Sequence, residues 1–175
     1  MFRDAGNEFS ALETIGNIAE LKWALGDLDG AEASLREYIA MRGRSSVRRS
    51  RLAHAFASLS GVLTERGDLA SALEAAREGV VLMQQDGGGQ IWRFMDAFAL
   101  RVALAGKAEN AARIAGYADA RHAETQAARE PNEARARERL GALLSDSFAP
   151  EELDRLYAEG AKIDQDMACR LALLF

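Results

Sequence analysis

The sequence predicts an all-α fold, a right-handed superhelix of stacked helical hairpins that is closed by a C-terminal helical cap. Three observations support this prediction. A short motif recurs at intervals of 41 and 39 residues. Apolar residues with helical spacing lie on both sides of each copy. Alanine is the most frequent residue and there are only two prolines, which favours helix throughout. A fixed period of this size is typical of solenoid proteins.

The recurring motif consists of Gly, a polar residue, an apolar-like residue, two variable positions and Ala. We expect the Gly to end one helix in the left-handed conformation and the polar residue to begin the next helix. The closing Ala would pack where the two helices cross, because a methyl group lets the backbones approach closely. The three copies are Gly26–Ala31, Gly67–Ala72 and Gly106–Ala111.

Each copy joins two predicted helices, so residues 1–128 are expected to form three pairs, at about 10–42, 48–85 and 90–128. The predicted helices span 11–25 and 28–41, then 52–66 and 69–83, then 90–105 and 108–128. Asp86–Gly89 is predicted to be a flexible turn between pairs. The expected core faces include Ile15, Ile18, Ala19 and Leu25 in the first helix, Ala31, Leu35, Tyr38 and Ile39 in the second, and Phe56, Leu59, Leu63, Ala72, Ala76, Val80, Met95, Phe98 and Val102 in later helices.

The repeat fades after residue 130. Pro131 and Pro150 stand where a first helical turn would begin, a position at which the missing amide donor costs nothing. They predict three shorter helices, at 131–144, 150–159 and 162–174. Residues 129–175 are therefore expected to be a helical cap of the same domain.

Residues 10–125 resemble the tetratricopeptide repeat. Departures are Lys22, which stands where that repeat prefers Tyr, and a period longer than the usual ~34 residues. The resemblance implies an α-α superhelix that binds partners in a concave groove. It is carried by Ile18, Leu59 and Phe98 at the apolar position of the first helix, Phe56 and Met95 at its aromatic position, and Ala31, Ala72 and Ala111 at the small position of the second helix.

The tail is similar to the C-terminal end of large bacterial transcriptional regulators. In those proteins a winged-helix DNA-binding domain and a signal-transduction ATPase precede a tetratricopeptide-like region. The resemblance implies a sensory or protein-contact role, with this chain as the last region of a longer protein. A free-standing scaffold that binds a peptide or protein is the alternative. The similar segments are residues 111–120, 129–135, 156–161 and 168–173.

If the first helix of each hairpin lines the groove, a set of side chains points off the packing stripe into it. Trp23 and Trp92 have two interpretations, core packing and recognition anchor. A bare first hairpin would also be able to pair with a second copy as a homodimer. The groove candidates are Glu13, Glu20, Trp23, His54, Glu65, Arg93 and Asp96.

A net charge of −5 argues against a general affinity for nucleic acid or anionic membranes. One local run of arginines contrasts with this acidic balance. It has two interpretations, a basic patch for phosphate or an acidic partner, and solvated arginines in an inter-repeat loop. The run consists of Arg42, Arg44, Arg48, Arg49 and Arg51.

The sequence contains no recognisable catalytic constellation. His54 and His122 have no metal-ligand spacing around them, and Gly106-Lys107 lacks the rest of a phosphate-binding loop. Cys169, the only cysteine, fits a packing role and a cytoplasmic location. We therefore expect a non-enzymatic protein without cofactor, metal, signal peptide or membrane span. An enzyme with an unrecognised carboxylate site is the remaining alternative from another class.

Overall fold

The computed structural model describes residues 14–43, 48–87 and 89–174, and all regular structure in these ranges is helical, without strands. The all-α prediction is confirmed. The chain divides into two compact units, Met1–Gly89 and Gln90–Phe175. The boundary lies at the end of the predicted turn Asp86–Gly89.

Unit 1 contains four helices in its described part. These are α1 at residues 14–24, α2 at Leu28–Ala40, α3 at Arg49–Arg66 and α4 at Leu69–Gln85. Helix α3 packs against both α2 and α4. It is buried on almost every side from Ala53 to Thr64, which makes it the central helix of this unit.

Unit 2 begins with a short 3-10 helix, Ile91–Phe94, and is built on the pair α5 and α6. Helix α7 packs on α5, α8 packs on α6, and α9 contacts both. The tail therefore packs on the third hairpin. The α-helices are α5 at Met95–Leu104, α6 at Ala108–Thr125, α7 at Pro131–Ser147, α8 at Pro150–Gly160 and α9 at Gln165–Leu173.

The turn inside each hairpin has the same geometry three times. The first glycine of each motif copy has a φ of 81°, 85° and 79° in chain order, which is the left-handed region. In the first copy the amide of Gly26 donates to the carbonyl of Trp23 at 3.0 Å, and the amide of Asp27 donates to the carbonyl of Lys22 at 2.9 Å. The same pair of hydrogen bonds recurs in the other two copies, so each helix ends in a Schellman motif.

The residue after each glycine caps the next helix in two of the three copies. The side chains of Asp27 and Asp68 accept from the amides of Gly30 and Ser71, whereas Lys107 makes no such bond. The alanine that closes each copy is fully buried. The hairpin turn is thus confirmed, while the superhelical arrangement of the three hairpins stays a prediction.

Apart from the start of α1, which lies at the edge of the described residues, every helix limit is within three residues of the predicted one except the start of α5, and the larger offsets have local causes. Residues 91–94 form a 3-10 turn before α5. Helix α9 begins at Gln165, later than expected, because the side chain of Asp164 accepts from the amide of Met167 at 2.7 Å and starts the helix there. Helix α6 stops at Thr125, since Gln126 has a left-handed φ of 54°.

The predicted core face of α1 is partly wrong. Ala19 and Trp23 are buried, but Ile18 and Leu25 are 42% and 77% exposed. The indole of Trp23 lies directly over Gly61 of α3, where an added Cβ would be only 2.3 Å from its Cη2 atom. This contact faces Ala19 and Trp23 toward α3 and leaves Ile18 and Leu25 on another side of the helix. The other predicted core positions from Ala31 to Val102 are buried, apart from the half-buried Ile39.

Helices α6 and α8 meet backbone to backbone at two glycines. A Cβ added at Gly160 would lie 2.0 Å from the carbonyl oxygen of Arg113, and one added at Gly116 would lie 2.2 Å from that of Tyr157. Real Cβ atoms do not approach backbone so closely, so only glycine fits at both positions.

Candidate functional site

Three of the groove candidates of unit 1, Glu20, Trp23 and Glu65, make side-chain hydrogen bonds inside the unit. The indole Nε1 of Trp23 donates to Oε1 of Glu65 at 2.8 Å. The hydroxyl of Ser58 donates to the carboxylate of Glu20. Both contacts join α1 to α3. Because Trp23 is buried, its environment favours core packing over a recognition anchor.

Two groove candidates of unit 1 remain, His54 and Glu13. His54 is half-buried on α3. Glu13 lies outside the described residues. The role of these positions in binding a partner stays a prediction.

Arg93 and Asp96 of unit 2 belong to ion pairs that connect the helices. Arg93 contacts Glu133 at 3.1 Å and Glu130 at 2.6 Å, and its guanidinium lies 5.6 Å from the centre of the Trp92 ring. Asp96 has no exposed surface. Nε of Arg129 donates to Oδ2 of Asp96 at 2.7 Å. The structure therefore places these two candidates inside a network that ties α5 to the start of α7.

Asp96 is one member of a larger set of paired charges, here called the charge cluster, which consists of Asp96, Asp119, Arg129 and Arg137. Arg129 contacts both carboxylates. Nη2 of Arg137 donates to Oδ2 of Asp119 at 2.8 Å, and its guanidinium lies 5.2 Å from the ring centre of Tyr157. Two positive and two negative side chains thus alternate across α5, the α6–α7 connection, α6 and α7.

The two carboxylates of the charge cluster have opposite pKa shifts. Burial raises the pKa of Asp96, and this outweighs the opposing effect of the Arg129 hydrogen bond. Burial also acts to raise the pKa of Asp119, but hydrogen bonds and charge from Arg137 and Arg129 together lower it. This asymmetry arises because Asp96 is fully buried while Asp119 is partly exposed and has two arginines.

His122 lies beside the charge cluster at the end of α6. Its Nδ1 is 3.0 Å from the carbonyl oxygen of Ala127, so Nδ1 carries the hydrogen, because a carbonyl only accepts. Its ring packs edge to face against the indole of Trp92, with 4.7 Å between the ring centres. Nε2 has no hydrogen-bond partner among the described residues and lies 3.9 Å from Oδ2 of Asp96. His122 and Arg129 together fix the α6–α7 connection against α5 and α6.

The arginine run is found on the surface near the start of α3. Arg42 follows α2, Arg48 precedes α3, and Arg49 and Arg51 lie in the first turn of α3. All four are exposed, and Arg44 lies outside the described residues. That first turn contains no acidic residue and no side-chain cap. The basic-patch and solvated-loop interpretations both stay open.

A surface that sequence reasoning missed lies on α1. Ile18, Leu21 and Leu25 are 42%, 59% and 77% exposed and follow one another at helical spacing. We call these three residues the α1 stripe. The available signal was that α1 has apolar residues on more sides than one interface can cover, so one apolar face had to be left over.

The exposed residues of α1, together with Leu25 just beyond its end, include no charged side chain. They are Thr14, Asn17, Ile18, Leu21 and Leu25. Every other described α-helix that has exposed residues has at least one charged residue among them. The charged side chains of α1 point elsewhere. Glu20 accepts from Ser58, and Nζ of Lys22 donates to the hydroxyl of Ser34 at 3.1 Å. The exposed positions of α1 within residues 14–24 are therefore uncharged, and the α1 stripe is apolar.

Within residues 14–43, 48–87 and 89–174, no group of three or more His, Cys, Asp or Glu side chains is placed to hold a metal ion. In the same ranges no helix combines the length and apolar character needed to span a bilayer. Comparisons with protein-family models, curated proteins and solved structures found no match to this chain.

Proposed function

We propose that this chain is a non-enzymatic helical-repeat module that binds a protein partner through the outer face of α1. The observation that carries the proposal is the α1 stripe. Contiguous exposed apolar surface on a folded domain typically marks a protein interaction site. No exposed residue of α1 within residues 14–24 is charged, which adds to this because charged residues are depleted at the centre of protein interfaces.

The tetratricopeptide-like superhelix belongs to this proposal. Its support is the threefold recurrence of one turn geometry and the fully buried alanine in each copy. The paired charges of unit 2 also favour a binding module over an enzyme. They neutralise one another inside the fold, whereas a catalytic group must reach a substrate.

The wider role rests on the sequence resemblance of the tail. We propose that the chain acts as the C-terminal interaction or sensory region of a bacterial transcriptional regulator, in which partner binding alters a preceding ATPase. A free-standing scaffold is the second candidate. The mass of the native polypeptide in the source cells distinguishes the two candidates. An antibody raised against this chain would detect a species several times larger than 19.0 kDa in the first case, and a 19.0 kDa species in the second.

A matched pair of variants tests binding through α1. Leu21→Glu places a charge in the α1 stripe, and Val81→Glu places one at an exposed apolar position of α4 that is 49% exposed. Complexes that contain this chain would be isolated from its source cells, and each complex would then be reconstituted from purified components. We expect the wild type and Val81→Glu to form the same stoichiometric complex and Leu21→Glu to lose it. A rebuilt complex that survives Leu21→Glu would contradict binding at this surface.

A further inference from the structure

We infer that the partner of the α1 stripe is a second copy of this chain, paired through two antiparallel α1 helices. This inference rests on the proposed function, because it names the occupant of the same surface. Two features of the outer face of α1 support self-pairing over other occupants: its spacing and the lack of charge among its exposed residues.

The spacing of the outer face is the same when read from either end. Thr14, Ile18, Leu21 and Leu25 are all exposed and are separated by four, three and four residues. This is the a/d spacing of a two-helix seam. Under a two-fold axis between Ile18 and Leu21, antiparallel helices place Ile18 against Leu21 of the other copy and Leu25 against Thr14. A symmetric contact needs such a self-complementary surface.

Lack of charge removes the usual obstacle to pairing identical surfaces. Two copies of a charged patch place like charges together, which opposes association. Both charged side chains of α1 within residues 14–24, Glu20 and Lys22, are half-buried and hydrogen-bonded within unit 1, Glu20 to Ser58 and Lys22 to Ser34 and the carbonyl of Gly30. The exposed residues of α1 offer no charged side chain to a partner of opposite charge, and they bring no like charges together when a second copy pairs with them.

Three exposed side chains form a small contact, so the dimer is expected to be weak and concentration-dependent. Sedimentation equilibrium over a range from about 10 to about 500 µM would detect it. We expect the wild-type mass to rise from 19.0 kDa toward twice that value. Leu21→Glu should remain monomeric across the range, because each copy would bring a carboxylate into the seam. Val81→Glu should behave as the wild type.

Disulfide trapping tests the register. In a Cys169→Ser background, a mixture of Ile18→Cys and Leu21→Cys chains should form the mixed disulfide faster than either chain forms its own. A mixture of Leu21→Cys and Leu25→Cys is the control, and it should show no such preference. Equal rates for all pairs would overturn the antiparallel register.

A wild type that stays at 19.0 kDa at the highest concentration would overturn the inference. So would a Leu21→Glu variant that dimerises like the wild type. A monomeric chain that still forms a complex dependent on Leu21 with another protein would leave the proposed function standing while the self-pairing fails.

Discussion

The two units use the same hairpin turn but hold their helices together in different ways. In unit 1 a large aromatic side chain, Trp23, fills the space that Gly61 leaves on α3. In unit 2, α6 and α8 meet through backbone at Gly116 and Gly160, and paired charges tie the α6–α7 connection to α5 and α7 to α6. The comparison teaches that a local turn signal sets the hairpin, while the side chains available at each helix face decide how the next helix is added.

The largest expected effect is the loss of the indole that fills unit 1. We expect Trp23→Ala to reduce the free energy of unfolding of unit 1 by about 3 to 5 kcal/mol, because it leaves a cavity over Gly61 and removes the indole hydrogen bond to Glu65. Circular dichroism in urea would measure the loss. Trp92, then the only tryptophan, would report on unit 2 and should show an unchanged transition.

Two controls belong to that experiment. Leu25→Ala removes an exposed side chain of α1 and should change the stability by no more than about 0.5 kcal/mol. Gly61→Ala should cost about 1 to 3 kcal/mol in the wild type because the new methyl collides with the indole. In the Trp23→Ala background that cost should disappear. Additive effects of Trp23→Ala and Gly61→Ala would show that the two residues are not in contact.

The next effect concerns the buried charge of unit 2. We expect Arg129→Met to cost about 3 kcal/mol at pH 7, because Asp96 is left buried without its counter-charge. Arg139→Met, an exposed arginine on α7, is the matched control and should cost little. Urea unfolding monitored by Trp92 fluorescence would measure both.

The same variant has a defined pH dependence. Burial already raises the pKa of Asp96 in the folded state, and loss of Arg129 removes an interaction that lowers it. A carboxyl group with a raised folded-state pKa binds a proton more readily when folded, so its burial penalty falls as the pH decreases. The deficit of Arg129→Met relative to the wild type at the same pH should therefore shrink from pH 7 toward about pH 4. A deficit that grows on acidification would contradict the role assigned to Asp96.

A smaller effect tests the backbone contact between α6 and α8. Gly160→Ala should cost about 2 kcal/mol, because a Cβ at this position collides with the Arg113 carbonyl and the two helices must separate. Gly141→Ala on α7 is the control, since its new Cβ would meet only the flexible end of the Arg137 side chain at 3.4 Å. That variant should gain roughly 0.5 kcal/mol from helix propensity. Equal stabilities for the two variants would show that α6 and α8 do not meet closely at Gly160.

The last prediction concerns α9, which buries Ala168, Cys169 and Ala172 and whose Ala172 carbonyl accepts from the buried Arg101. Cys169 is buried there, and burial raises the pKa of its thiol to about 12. The reactive thiolate is therefore scarce at pH 8 in the folded protein. A thiol reagent should modify Cys169 in the native protein only as fast as α9 opens, and in urea at the rate of an ordinary cysteine. Rapid modification of the native protein would show that α9 is not packed as described.

Several features were predictable because they depend on neighbours in the sequence. Gly26, Gly67 and Gly106 end helices in the left-handed conformation, and Asp27 and Asp68 cap the next ones. Such signals act over a few residues of backbone, so the sequence alone determined the hairpins, the all-α class and the starts of α7 and α8 at their prolines.

Tertiary structure decided the contacts between residues far apart in the chain. Nothing near Arg129 in the sequence indicates that it pairs with Asp96 across 33 positions. The outer face of α1 also depended on a distant residue, since Trp23 found its space over Gly61 and thereby left Ile18 and Leu25 exposed. Apolar periodicity reports that a helix has surfaces to bury, but the shape and charge of the partner helix choose which surface is buried and which is left for a partner.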